Sequence, residues 1–163
     1  IRFLEKLEIL EANKNYNVGN FEFKTSMQHI HPVQAYGIKF SRLPTLSGSR
    51  FIGKSRDPDK SGKIKDTSIG ILTDTKYFRE LEDFYKTDIL IIAVVFFEPR
   101  PGIDHLCLAD VEALIKDIKP KKAILTHFGM TMLKAKPHIQ ALELSKRLDT
   151  EVQAAYDGMT LEF

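Results

Sequence analysis

The chain has 163 residues, of which 43% are hydrophobic and 28% are charged, with a formal net charge of +2. This length fits one domain with a substantial core, and the composition excludes a disordered or fibrous protein. The longest apolar run, from Ile89 to Phe97, is far shorter than the roughly 20 residues of a membrane-spanning helix, so no membrane contact is expected. The single cysteine, Cys107, excludes an internal disulfide and favours a reducing, cytoplasmic location.

The N-terminal part of the chain predicts antiparallel strands. Residues 7–11 and 21–27 alternate between apolar and polar side chains, and the turn-forming segment 17–20 predicts a hairpin between them. A further strand is expected within 35–40. The next segment, 41–67, is long, polar and rich in glycine, serine, proline and lysine, which predicts a surface loop or an insertion.

From residue 68 onwards, short apolar runs alternate with amphipathic segments. Strands are predicted at 68–73, 89–97, 122–126, 151–156 and 159–163. Helices, with apolar residues recurring on one face, are predicted at 77–85, 108–118 and 137–148. Residues 1–163 are therefore expected to form a single α/β domain whose N-terminal portion is more antiparallel.

Polar side chains follow several of the predicted strands. Asp74 comes directly after one apolar strand, His127 directly after another, and His31 follows the strand that starts near Phe23. Strand ends are where layered α/β proteins build sites, and histidine with aspartate suits Zn²⁺. The alternative is local: Asp74 could cap a helix that starts at Thr75.

Three segments resemble consecutive motifs of the metallo-β-lactamase superfamily. They are HPVQAYGIKF from His31, GILTDT from Gly70 and AILTHFG from Ala123. DILII from Asp88 is similar to the buried strand of that family, and HLCLAD from His105 to a histidine-containing segment before a late helix. The resemblance covers the chain from about Phe21 onwards and is greatest to ribonuclease Z-like and cyclic phosphodiesterase-like proteins.

The resemblance implies half of a four-layer αββα sandwich, a mixed sheet with flanking helices. It also implies a metal-dependent hydrolase that cleaves phosphodiesters with a metal-activated water. The metals would be two Zn²⁺ ions, with Mn²⁺ as the alternative, and the substrate a phosphoester or another small molecule, with RNA among the candidates.

The resemblance also assigns roles to individual residues. His31 would bind the first metal, His127 the second, and Asp74 would bridge them as a metal ligand and catalytic residue. His105 would be a catalytic proton donor to the leaving oxygen or a phosphate contact, oriented by Asp104. The alternative for His105 is a surface histidine at the start of a helix.

One feature of the superfamily is missing from the chain. Its enzymes carry a His-x-His-x-Asp-His segment in their N-terminal half, and here the only His-x-His pair is His29-Ile30-His31, with no Asp-His after it. In a strand, residues 29 and 31 would point to the same face, although His31 alone matches the family ligand.

Three alternatives follow from the missing segment. The chain, which begins with Ile1, is the C-terminal part of a larger enzyme and is inactive alone. Otherwise it is a non-catalytic binding or scaffolding domain, or one subunit of a split enzyme. Each leads us to expect self-association or an N-terminal half supplied elsewhere.

Overall fold

The described residues, 7–19, 21–41 and 67–161 of the computed structural model, build one seven-stranded mixed sheet. Its strands are β1 (Asn15–Val18), β2 (Phe21–Thr25), β3 (Ile38–Phe40), β4 (Ile69–Leu72), β5 (Ile89–Ala93), β6 (Lys122–Thr126) and β7 (Glu151–Ala154). The helices are α1 (Glu80–Phe84), α2 (Leu108–Ile118), α3 (Met130–Lys134) and α4 (Pro137–Leu148). The spatial order of the strands follows the chain, and the predicted α/β class with a mixed sheet is confirmed.

The first four strands pair antiparallel, and the predicted hairpin is present with a different first strand. It joins β1 to β2 in the register Asn15↔Lys24, with Tyr16 stacked on Phe23 at 5.5 Å between ring centroids. The strand predicted at 7–11 is wrong, because that segment has no regular structure and its apolar side chains, Leu7 and Ile9, are at least 80% exposed. Alternation without a pairing partner does not make a strand.

Strands β4 to β7 pair in parallel, which brings their carboxyl ends to one edge. The interiors of β4, β5 and β6 are continuous apolar runs, as expected for strands covered on both faces. Strand β5 ends at Ala93, four residues before the end predicted at Phe97. Beyond it the chain leaves the sheet, and Phe96 makes an isolated bridge with Cys107.

The two long helices have the predicted bounds, whereas the shorter ones do not. Helix α2 ends in a left-handed residue before Pro120, and α4 has proline in its first turn, so both carried strong boundary signals. Helix α1 begins at Glu80 instead of near residue 77, because the backbone before it bonds to another loop: the Lys76 N–H donates to the Ile30 carbonyl at 3.1 Å. The five-residue helix α3 was not predicted.

The described helices pack on one face of the sheet and form the main core. Side chains from both layers meet there, among them Leu90, Ile92, Leu125, Leu81, Leu114 and Leu144. The opposite face has a smaller cluster of Ile69, Ile89 and Ile124, bordered by the half-buried side chains of Phe40, Ile71 and Ile91. Among the described residues, no helix has the length and apolar character needed to cross a bilayer.

Two predicted segments fall largely or partly beyond the described ranges. The polar loop at 41–67 lies outside them apart from its two end residues, and the division of the chain into one domain with that loop stays a prediction. Of the strand predicted at 159–163, the described part, 159–161, has no strand pairing.

Candidate metal centre

The carboxyl ends of the parallel strands bring Asp74 and His127 together. The registers Leu72↔Ile92 and Ala93↔Thr126 align the ends of β4, β5 and β6. Asp74 follows β4 by two residues and His127 directly follows β6. Across this edge, His127 Nε2 lies 3.1 Å from Asp74 Oδ1.

His105 reaches the same carboxylate from the connection between β5 and α2. This connection doubles back along the end of β5, where the Val95 N–H donates to the Leu106 carbonyl at 3.1 Å. As a result, His105 Nδ1 lies 3.4 Å from Asp74 Oδ1, and only 22% of the His105 side chain is exposed. The alternative of a surface histidine at a helix start is therefore wrong.

His31 arrives from the segment between β2 and β3, which folds over the carboxyl edge of the sheet. The Ile30 N–H donates to Thr75 Oγ1 at 3.1 Å, which fastens this segment to the residue after Asp74. The ring centroids of His31 and His105 are 5.1 Å apart. Ligand atoms of His31, Asp74 and His105 all lie within 4.8 Å of one another.

The residues present fit a divalent cation. Asp74 Oδ1 and His105 Nδ1 are buried atoms with no hydrogen-bond partner, although they are close to each other and to His127, because these contacts lack hydrogen-bond geometry. A buried polar atom without a partner costs roughly 1–3 kcal/mol, and an ion bound to Asp74 Oδ1 would remove that cost at the carboxylate. Imidazole nitrogens with a carboxylate oxygen are a zinc donor set.

His127 lies on the outer side of this group. Its side chain is 57% exposed, and its ring centroid is 6.4 Å from that of His105. Its backbone is left-handed, with φ of 58°. Two residues later, the Gly129 N–H donates to the Val95 carbonyl at 3.1 Å, and a Cβ on Gly129 would lie 2.6 Å from that oxygen. Glycine there lets the loop that carries His127 pack against the end of β5.

The structure brings together the four side chains singled out in the sequence. His31, Asp74, His105 and His127 surround one carboxylate, although the tight ligand group consists of the first three. The helix-capping alternative for Asp74 is wrong, because α1 begins six residues later. Asp104 forms its ion pair with Lys76, at 3.6 Å, and not with His105 as predicted.

A buried histidine, His29, lies behind the centre, and the sequence did not single it out as a functional residue. His29 is 2% exposed, and its Nδ1 lies 3.1 Å from the Asp74 carbonyl oxygen, which can only accept. Its Nε2 lies 3.0 Å from Tyr85 Oη. Burial lowers the pKa of His29 and raises that of Tyr85. The ring is therefore neutral: Nδ1–H donates to Asp74, and Nε2 accepts from the tyrosine hydroxyl.

The environment of His29 depends on a glycine in the neighbouring strand connection. A Cβ on Gly37 would lie 1.7 Å from Tyr85 Oη, so only glycine leaves room for the hydroxyl. The expected common face of residues 29 and 31 is wrong, because this segment is not a strand. The His-x-His spacing was the one sequence signal that pointed to His29.

The fold and the arrangement at its edge define a class. The chain has the metallo-β-lactamase fold, in its helix-and-sheet half, as the comparisons with solved structures show. It matches the metallo-β-lactamase fold protein YhfI from Bacillus subtilis with a TM-score of 0.65 and 18% identity, covering 92% of this chain and 53% of that one.

Two further matches carry more specific names. A diphosphatase from the PhnP family matches with a TM-score of 0.60 and 20% identity, over 94% of this chain and 47% of the other. The short form of human tRNase Z matches with a TM-score of 0.54 and 16% identity, over 90% of this chain and 45% of the other. The chain thus spans about half the length of these structures. No protein-family model matches it, and no curated protein matches it significantly.

Proposed function

We propose that the protein is a divalent-metal-dependent hydrolase that cleaves phosphodiesters at the centre built around Asp74. The observation that carries this proposal is the buried, unpartnered Asp74 Oδ1, which lies 3.1 Å from His127 Nε2 and 3.4 Å from His105 Nδ1. A carboxylate surrounded by imidazoles at the carboxyl ends of parallel strands, with His127 57% exposed, is arranged to share cations and to admit a substrate.

In this proposal the chain supplies three metal ligands and one proton donor. His31 and His127 would each hold one of two ions, Zn²⁺ or Mn²⁺, and Asp74, whose carboxylate has two oxygens, would serve as a ligand to both. When bound, the pair of ions supplies polarisation of a phosphoryl oxygen and a water of lowered pKa. His105, 3.4 Å from Asp74, donates a proton to the leaving oxygen.

The substrate class is a phosphoester. Its support is the pair of matches whose names specify phosphorus chemistry, a diphosphatase and a tRNase Z, together with the motifs from His31, Gly70 and Ala123. RNA is included in this class. We also propose a reducing, cytoplasmic location, because the single cysteine is buried and free.

The remaining metal ligands come, in this proposal, from protein outside the 163 residues. The chain holds three of the ligands that a binuclear centre of this family needs and no His-x-His-x-Asp-His segment. The half-buried sheet face with Phe40, Ile71 and Ile91 is suited to packing against the second half of the sandwich. That half is either part of the same polypeptide or a partner chain, and without it the chain self-associates and is inactive.

Metal content and hydrolysis test the proposal together. The intact protein is stripped with chelator, reloaded with Zn²⁺ or Mn²⁺, and assayed by elemental analysis and by cleavage of bis(p-nitrophenyl) phosphate. We expect two equivalents of metal and metal-dependent cleavage, both lost in Asp74→Asn. Asp104→Asn is the matched control, since both aspartate side chains are 32% exposed and Asp104 pairs with a lysine.

Two results would change the assignment. Protein that binds no metal refutes the metal centre and favours a scaffolding domain that has kept only the fold. Protein that binds metal but cleaves only after a second chain is added is a subunit of a split enzyme. Co-purification of a partner with the missing histidine segment identifies that case.

A further inference from the structure

Two loops that carry candidate ligands are joined behind the metal centre by several hydrogen bonds. Thr73 Oγ1 bonds to the Tyr36 carbonyl and contacts the His29 ring, and Thr75 Oγ1 contacts the Ile30 carbonyl at 3.5 Å. Three other bonds lie closest to the candidate ligands. Two of them use the backbone of Ile30: its N–H donates to Thr75 Oγ1 at 3.1 Å, and its carbonyl accepts from the Lys76 N–H at 3.1 Å. The third runs from the His29 ring to the Asp74 carbonyl, at 3.1 Å. The bonding residues are Asp74 itself and residues within two positions of His31 or Asp74 in the chain.

Of these three bonds, the one to the Asp74 carbonyl comes from a side chain, the His29 ring, whose other nitrogen is also bonded. Its second nitrogen lies 3.0 Å from the hydroxyl of Tyr85, a side chain that is completely buried in the main core. Tyr85 in turn fits against Gly37, with no room for a Cβ. The position of the Asp74 backbone is therefore tied to the core between the sheet and α1 through Tyr85 and His29.

We propose that His29 is a positioning residue that fixes the distance between His31 and Asp74 and thereby sets the affinity of the centre for its metal. This inference rests on the proposed metal centre. His29 shares a short backbone segment with His31, and it bonds to the backbone of Asp74, so one rigid ring holds both ligands. Partners of this kind are worth roughly 10–100-fold in metal affinity.

A purely packing role predicts a different outcome. Leucine at position 29 fills a similar volume but removes the bonds that the His29 ring makes to the Asp74 carbonyl and to the Tyr85 hydroxyl, which costs stability in either case. If His29 positions the ligands, His29→Leu also increases hydrogen exchange in the two loops of the metal-free protein and weakens metal binding in protein that is still folded. If His29 only fills space, neither effect is expected. The two roles are therefore separated by the zinc dissociation constant and by local hydrogen exchange.

The zinc dissociation constant of the intact protein is measured by competition with a chromophoric chelator. We expect His29→Leu to bind Zn²⁺ about 10–100-fold more weakly. His29→Gln, whose amide can still donate to Asp74, and Tyr85→Phe should show smaller losses. The matched control is Ser145→Ala, which also removes two hydrogen bonds, those to the Val152 N–H and carbonyl, but far from the centre along α4. It should leave the constant unchanged.

Amide hydrogen exchange gives a second readout that needs no metal. In His29→Leu, we expect faster exchange at the amides of Ile30 and Lys76, with β5 and β6 as protected as in the wild type. Unchanged zinc affinity in His29→Leu, or exchange raised uniformly over the sheet, overturns the proposal. If the wild type binds no zinc, the metal centre fails, and exchange at these two amides alone decides whether His29 holds the loops. If His29→Leu does not fold, His29→Gln and Tyr85→Phe carry the same comparison.

Discussion

Replacing Gly37 by alanine should destabilise the protein by about 3 kcal/mol, the upper end of what overpacking usually costs. The new Cβ would lie 1.7 Å from Tyr85 Oη and 2.5 Å from the Ile71 carbonyl oxygen. The hydroxyl would have to retreat by more than about 1 Å, yet Tyr85 is completely buried and has little space around it. The second contact is with the backbone of β4, which the sheet pairing holds in place.

The cost can be divided by a double-mutant cycle with Tyr85→Phe. That change removes the closest clashing atom, but it also leaves His29 Nε2 without its donor, so alone it should cost about 1–2 kcal/mol. Because the tyrosine oxygen is absent from the double variant, its destabilisation should be at least 1 kcal/mol smaller than the sum of the single values. The free energy of unfolding is measured by urea titration with circular dichroism.

Two outcomes would refute this reasoning. If Gly37→Ala costs less than about 1 kcal/mol, the tyrosine hydroxyl is not packed against this glycine. If the single values add within about 0.5 kcal/mol, the two positions do not share the contact.

Three further predictions concern an ion pair at the amino ends of β5 and β6 and two histidines of the centre. The pKa of Asp88 is lowered to about 2 mainly by the hydrogen bond with Lys121, and this ion pair should contribute about 1 kcal/mol to the free energy of unfolding after allowance for solvent screening. The contribution is present above pH 4 and is lost as the pH falls towards 2. Asp88→Asn should remove this pH dependence in urea titrations. His127→Gly should be about 1 kcal/mol more stable than His127→Ala, since φ is 58°, while both bind Zn²⁺ more weakly. His105→Asn should keep the metal, by elemental analysis, and lower phosphodiester cleavage at least 100-fold.

Each of the three has an outcome that contradicts it. Equal acid sensitivity of Asp88→Asn and the wild type would mean that the ion pair does not persist in solution. Equal stability of the glycine and alanine variants at His127 would mean that its backbone is not left-handed in the metal-free protein. Loss of metal from His105→Asn would make His105 a ligand and would leave the proton donor unassigned.

The parts of the fold that the sequence predicted well are those with strong local signals. Helices α2 and α4 combine a one-face apolar pattern with prolines that set a boundary, and β4 and β6 are short apolar runs that pair with similar neighbours. The first strand failed because alternation at 7–11 satisfies the local pattern without the pairing that makes a strand. Helix α3 is too short for any periodic pattern to be visible.

The centre was predictable only in part, for a related reason. His31, Asp74 and His127 were found through motifs, while their meeting depends on the order and direction of strands that are far apart in the chain. The place of His105 beside Asp74 depends on the connection after β5. Pro101 and Gly102 predict a turn there, but they do not predict the direction in which the chain returns along the end of β5. The sequence set His29 aside as a neighbour of His31, and its contacts with the Asp74 carbonyl and Tyr85 became visible only in the structure, because they depend on burial and not on residue type.

The sheet changes from antiparallel to parallel pairing at β4, and this has a consequence for folding. Strands β1 to β3 are joined by short connections, so they form from local contacts, whereas β4 to β7 require crossovers and close later. His31 belongs to the first group, and Asp74, His105 and His127 belong to the second. A metal ion held by His31 and Asp74 together favours only the state in which both groups have assembled. Its occupancy should therefore suppress partial opening of the β1–β3 unit, the cooperative unit from which His31 is supplied.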